Sequence, residues 1–278
     1  PHGPAFFSNE QLDGVVYALK EAKKLGLKMG MSVSNGWNTG GDWTPIEERS
    51  MNMLFSKDTL QGPIKVNKLR FPSIPLEFSK IYGKYSLFPT FNSDGFPSYF
   101  ENVSLIAYPL NNEGIISDLN SVLTFDVSKI KGNNVDIQLP VGKWVLLRSV
   151  VTPMGQKLWA AGRDSKGYIM DHFSQKATKN HFNYLFDKLE TRMGSLKGSA
   201  LERFYLASFE SEAAVEWTPA LSEYFLKLNG YRIEPFIPAL AGEKVIDDET
   251  TQRFIHDYRY TISEMFVTNH YLQARQIC

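Results

Sequence analysis

The sequence predicts an α/β protein in which a β-rich insertion interrupts a parallel α/β domain. Residues 1–49 and 166–278 alternate amphipathic helices with short apolar strands, whereas residues 50–165 alternate apolar and polar residues between Pro, Gly and Asn. A period of two is typical of antiparallel strands, and a helix–strand rhythm is typical of parallel sheets. Strands that are apolar on both faces need helices on both sides or a closed barrel. We therefore predict an incomplete (β/α)8 TIM-barrel-like domain with an insertion.

The first segment predicts a helix followed by a strand. Ser8 and, three residues later, Gln11 resemble a capping box at the start of an apolar helical face. Gly26 is placed to end this helix, and the apolar run "LKMGMSV" that follows predicts a short buried strand. A Gly- and Asn-rich loop, "SNGWNTGGDWTP", comes next.

The third segment repeats this helix–strand pattern. "GYIMD" and "RFYLASFE" predict strands, and Ser174 can cap the helix between them. We expect Thr218 to cap the next helix with Pro219 at its first position, and Gly230 to close it. A long final helix is predicted from about Asp248.

The composition argues against several classes of protein. Thirty basic residues balance thirty acidic ones, so no overall field favours nucleic acid. No apolar run reaches the length of a bilayer span, and Cys278 is the single cysteine. No glycine-rich nucleotide motif or Gly-x-Ser-x-Gly follows a predicted strand. The 19 Phe, 13 Tyr and 5 Trp fit a sugar-binding protein, although a large core also uses aromatic residues.

Three groups of polar or aromatic residues follow predicted strands, where a (β/α)8 barrel displays its catalytic groups. They are "SNGWNTGGDW", Asp171 and the carboxylates Glu210, Glu212 and Glu216. Glycoside hydrolysis needs two carboxyl groups, one of them protonated. A Glu held directly after an apolar strand suits that acid, which favours Glu210. Glu212 lies on the same side if the chain stays extended, and the alternative for all three is a solvated loop acid.

Substrate-binding candidates lie in the same regions. Trp37, Trp43 and Trp217 are predicted in loops at strand ends, where an indole face can stack on a sugar or simply pack. Asn35 belongs to the Gly- and Asn-rich loop. Asp171 can bind a metal or a sugar hydroxyl, or cap the following helix. The five histidines show no metal-ligand spacing.

Several blocks together resemble glycoside hydrolase family 106, the α-L-rhamnosidases. These blocks are "PHGPAFFSNEQLDGVVYALKEAKKLGLKMGM", "GWNTGGDWTP", "KWVLLRSVVTPMG", "YIMDHFSQKATKNHF", "FYLASFESEAAVEWTP", "FLKLNGYRIEPFIPALAG" and "RFIHDYRYTISEMF". They run in order from about Pro1 to the end and cover the α/β parts and the exit from the insertion, whereas the inner strands of the insertion are less diagnostic. The resemblance implies an extracytoplasmic, periplasmic or secreted, inverting hydrolase that removes terminal α-L-rhamnose from polysaccharides and uses a calcium ion (Ca²⁺) to orient sugar hydroxyls.

The same resemblance suggests roles for individual residues. It implies that Glu210 is the general acid, with Glu212 as the fallback. Asp171 matches the acid of the family's Asp-Lys-x-Ser block, although His172 stands in place of the Lys. Ala207 replaces the Asp of the family's Asp-Ser-Tyr-Glu run. If that Asp supports the metal or the acid, the replacement implies weaker calcium binding or a different sugar specificity.

The resemblance also places the catalytic base beyond the end of this sequence. The chain starts at Pro1 and stops within a helical pattern, so we interpret it as part of a longer protein and expect it to be inactive alone. A barrel glycosidase of different sugar specificity and a non-catalytic carbohydrate-binding protein stay open as alternatives. The natural glycan and the oligomeric state also stay open.

Overall fold

The computed structural model describes residues 3–80, 83–109, 111, 113–162 and 167–278. The helices are α1 Asn9–Lys24, α2 Gln175–Met193, α3 Leu221–Asn229, α4 Ile237–Leu240, α5 Asp248–Phe266 and α6 Gln273–Ile277. The strands are β1 Met29–Ser32, β2 Gly40–Gly41, β3 Met51–Lys68, β4 Glu77–Lys80, β5 Gly83–Ser86, β6 Glu101–Tyr108, β7 Ile115–Ile116, β8 Leu123–Phe125, β9 Asn134–Pro153, β10 Tyr168–Ile169, β11 Leu201–Tyr205, β12 Glu216–Trp217 and β13 Lys244–Val245. None of the described helices is long and apolar enough to cross a membrane.

The parallel part of the fold is small. β1 pairs with β11 in parallel from Met29–Leu201 to Ser32–Tyr205, and among the described residues this sheet has two strands. Helices α1, α2 and α6 share a core with it through Leu12, Leu185 and Ala274. β1 is only partly buried, contrary to the prediction, because a two-stranded sheet leaves its other edge uncovered. The mixed α/β class is confirmed, whereas a closed barrel is not seen in the described part of the chain.

An antiparallel sheet fills the middle of the chain, as predicted. Its strand order is β12-β3-β9-β6-β8, and β3 pairs with β9 along most of their length. One face packs through Met53 and Leu147 against Phe225 of α3 and Phe254 of α5. The β-rich segment therefore shares a core with the helices that follow it. The predicted boundary between residues 165 and 166 lies outside the described residues.

The predicted helix starts are partly confirmed. The Ser8 hydroxyl accepts a hydrogen bond from Gln11 N, and that of Ser174 accepts one from Ala177 N. Thr218 was the wrong cap, because α3 begins at Leu221 and only the Thr218 carbonyl accepts from its N–H. The final helix begins as predicted, although it continues through a π-helical turn over Val267–Leu272.

The strand predicted from "GYIMD" differs from the expectation. β10 pairs antiparallel with β2, so it is not a parallel barrel strand. A side chain on Gly40 would collide with the Tyr168 carbonyl, and one on Gly167 would collide with the Gly41 backbone. Glycine is therefore required at both positions, and the Gly-rich loop serves as a pairing surface.

Candidate active site

The carboxylates Glu210 and Glu212 lie in an irregular segment, residues 206–215, which we call the acid loop. Strand β11 ends at Tyr205, so Glu210 does not follow the strand directly as predicted. A loop has no ladder of backbone hydrogen bonds, and its peptide groups need other partners when they are buried. Those partners fix the position of the two acids.

Two buried amide side chains hold the acid loop. Asn38 Oδ1 accepts from Glu210 N at 2.6 Å, and Asn38 Nδ2 donates to Glu210 O at 3.2 Å. Gln156 Nε2 donates to the same Glu210 carbonyl at 2.7 Å, while its Oε1 accepts from Glu212 N at 2.8 Å. Asn38 and Gln156 are both buried. The backbone of Glu210 is thus bound on both sides, which fixes where its side chain starts.

A third buried amide holds the end of the acid loop. Asn52 Oδ1 accepts from Ala214 N and from Val215 N, each at 3.1 Å. Asn52 belongs to β3 and pairs there with Glu216 of β12. The acid loop is therefore attached to the antiparallel sheet as well as to the parallel pair.

Glu210 and Glu212 have different surroundings. Glu210 is partly exposed, whereas Glu212 is 2 % exposed. Of these two carboxylates, Glu210 is therefore the more accessible to a ligand.

The Gly-rich loop contacts the acid loop directly, as the sequence predicted for groups at strand ends. Ser208 N donates to Trp37 O at 2.9 Å, and Trp37 N donates to Trp159 O at 3.0 Å. A side chain on Gly36 would collide with the Trp159 carbonyl, so glycine is needed at that approach. Trp37 is 49 % exposed, and its ring lies edge-to-face on Trp159 with centroids 6.3 Å apart.

Asn35 and Trp43 line one cavity of about 240 Å³, together with Phe6, Asp42 and Tyr184. Trp43 stacks on Tyr184 with ring centroids 4.6 Å apart. Neither Asn35 Nδ2 nor Trp43 Nε1 has a hydrogen-bond partner among the described residues. Aromatic rings beside amide donors are suited to a hydroxylated ring.

Asp171 and Trp217 occupy buried positions. Asp171 is 2 % exposed. Its carboxylate accepts a hydrogen bond from Phe173 N at 2.9 Å and forms another with Thr218. Burial raises the pKa of Asp171 to about 7. Asp171 therefore bonds the turn that precedes α2, whose cap is Ser174. Trp217 lies in β12 within the main core rather than in a loop, so its ring packs against protein.

The described residues contain no group of three or more His, Cys, Asp or Glu that could hold a metal ion. Calcium stays a prediction, as does the effect of Ala207, and no chemical step below depends on the metal.

Replacing Gln156 by Leu is expected to destabilise the protein and displace the acid loop. Glu212 N loses its bond to Gln156 Oε1, while Glu210 O keeps the longer bond from Asn38 Nδ2. A buried backbone group left without a partner costs about 1–3 kcal/mol. Urea unfolding measures the loss, and Gln138→Leu on the exposed side of β9 is the control. Equal stability of the two variants would contradict the role assigned to Gln156.

Comparison with known proteins identifies the family. The model of glycoside hydrolase family 106, described as alpha-L-rhamnosidase, matches residues 4–128 and 118–278. A Formosa agariphila protein named "Putative beta-glucuronidase" is 27 % identical over 291 residues, which cover 100 % of this chain and 25 % of the relative. A solved rhamnosidase from Novosphingobium sp. PP1Y matches with a TM-score of 0.72 and 17 % identity, over 99 % of this chain and 40 % of that one. This chain thus spans a quarter to two fifths of the length of these proteins. Because the family match runs over nearly all of its residues, the chain belongs to glycoside hydrolase family 106.

Proposed function

We propose that this chain forms part of the catalytic region of a hydrolase that cleaves terminal α-L-rhamnosyl residues from a glycan. The observation that carries this proposal is the attachment of Glu210 by two buried amides, Asn38 and Gln156. A fixed backbone limits the positions of the carboxyl group, as a general acid requires. Family membership supports the choice of sugar.

In this proposal Glu210 donates a proton to the glycosidic oxygen as the bond to the sugar breaks. A second carboxylate activates water on the opposite face of the ring, and an inverting pair stands roughly 6.5–9.5 Å apart. Glu212, which is buried, stays the fallback for the general acid. We propose that the base comes from the chain that follows Cys278.

We assign substrate binding to Trp37, Trp43 and Asn35. Trp37 is exposed beside the acid loop, so its indole can stack on a sugar ring near Glu210. Trp43 and Asn35 offer an aromatic wall and an amide donor in the neighbouring cavity. Trp217 and Asp171 are left out of this assignment because both are buried.

A second candidate function follows from the name of the curated relative, which points to β-glucuronides. The test compares hydrolysis of 4-nitrophenyl α-L-rhamnoside and 4-nitrophenyl β-D-glucuronide by the intact protein. We expect turnover of the rhamnoside and none of the glucuronide. Turnover of the glucuronide alone would overturn the rhamnosidase assignment, and turnover of neither would favour the carbohydrate-binding alternative.

A further inference from the structure

A second cavity, of about 320 Å³, lies between α2 and residues 43–48. Trp43 and Tyr184 line it as well as the first cavity, so the stacked pair forms a wall common to both. None of the other residues of this second cavity belongs to the site described above. Its size suits one sugar unit rather than a long chain.

One face of α2 supplies polar groups to this cavity. Asn180, Asn183 and Asp187 lie three and four residues apart, so their side chains share one side of the helix. All three are exposed. Amides and a carboxylate beside aromatic rings can donate and accept hydrogen bonds around a hydroxylated ring.

His181 adds a buried acceptor to the cavity lining. Its Nε2 lies 2.7 Å from the Val33 carbonyl, which can only accept, so Nε2 carries the proton and Nδ1 has a free lone pair. His181 is 4 % exposed, and Nδ1 has no partner among the described residues. Burial lowers the pKa of His181 to about 4, which keeps the ring neutral near pH 7.

The charge of the cavity disfavours an anionic ligand. Glu48 accepts from Asn180 Nδ2 at 2.7 Å and pairs with the exposed Lys176 at 2.9 Å. Asp187 adds a second carboxylate, and the described lining residues include no Lys or Arg, while His181 is neutral near pH 7. A sugar carboxylate is normally recognised by Arg or Lys, so these groups select a neutral sugar.

We propose that this second cavity binds an uncharged pyranose unit of the glycan, next to the sugar held at Asn35 and Trp43. The inference rests on the proposed function, because it extends the same sugar-binding wall by one unit. It assigns Asn183 and Asp187 as binding residues.

The test follows the indole N–H resonance of Trp43 by NMR during titration with L-rhamnose and, separately, with D-glucuronate. We expect L-rhamnose to shift this resonance and D-glucuronate to shift it less. Asn183→Ala and Asp187→Ala are each expected to weaken rhamnose binding about tenfold, as loss of one hydrogen bond predicts. Asp136→Ala, an exposed carboxylate of β9, is the matched control.

Two results would overturn the proposal. One is rhamnose binding that Asp187→Ala and Asn183→Ala leave unchanged but Asn35→Ala removes, because only the first cavity would then be occupied. The other is equal or tighter binding of D-glucuronate. Neither result depends on turnover by Glu210, so this proposal can fail while the proposed function holds.

Discussion

Glu210→Gln in the intact protein is expected to lower kcat for phenyl α-L-rhamnoside by about 10²–10⁴-fold, the usual contribution of a general acid. The amide has the shape of the carboxyl group but cannot supply the proton. The bonds from Asn38 and Gln156 go to the Glu210 backbone, so the loop should keep its position. KM should change little for the same reason.

Steady-state kinetics with a matched variant check this prediction. Glu202→Gln replaces an exposed carboxylate of β11 that pairs with Lys28, and it should retain wild-type turnover. Retained activity in Glu210→Gln, combined with its loss in Glu212→Gln, would move the acid to the buried position. If the protein binds carbohydrate without catalysis, both the wild type and Glu210→Gln should bind glycan and neither should show turnover.

The second large effect concerns stability in acid. Burial lowers the pKa of His181 to about 4 and of His270 to about 3, and it lowers the pKa of His172 well below its usual range. In the unfolded chain these histidines bind protons near pH 6.5. The unfolded state is therefore stabilised relative to the folded state as the pH falls below that value. His181 and His270 contribute stability that is present above about pH 6.5 and is lost toward about pH 4 and about pH 3, respectively, at about 1.4 kcal/mol per pH unit. His172 changes the stability in the same direction.

Asp171 changes the pH dependence of stability in the opposite direction. Burial raises its pKa to about 7, so the folded state holds a proton that the unfolded state releases above about pH 4. Acidification from pH 7 toward pH 4 therefore stabilises the folded state through Asp171. This gain offsets the loss of stability from about one histidine. With three buried histidines against one aspartate, we expect a net loss of stability.

Urea unfolding at pH 7, 6, 5 and 4 measures this loss. His270→Gln should flatten the dependence, because it removes one of the buried titrating rings. His256→Gln is the control, since His256 lies exposed at the surface. Stability that stays constant or rises between pH 6.5 and pH 4 would contradict the prediction.

Features that depend on near neighbours could be predicted from the sequence. The caps at Ser8 and Ser174 use N–H groups three residues away, and both were predicted correctly. Strand partners depend on distant residues and were predicted less well. β10 pairs with β2, although the long strands of the antiparallel sheet lie between them in the sequence. The glycines of both strands allow this close approach.

The candidate site shows the same difference between features set by near neighbours and features set by distant residues. Glu210 was selected from local pattern and resemblance, but the side chains that hold it were not. Asn38 lies 172 residues from Glu210 in sequence and Gln156 lies 54 residues away. Their side-chain hydrogen bonds to the acid loop go to backbone atoms, so no pattern of side chains along the chain points to them. A buried amide next to an irregular loop can be recognised only in the folded structure.

The proposed hydrolysis depends most on Glu210 as the proton donor, and leaving-group sensitivity tests this role most directly. The measurement compares kcat/KM for phenyl and 2,4-dinitrophenyl α-L-rhamnosides in wild type and in Glu210→Gln. Dinitrophenolate departs without a proton, so the variant should lose activity mainly on the phenyl substrate. An equal loss on both substrates would contradict the account and assign Glu210 a role other than acid.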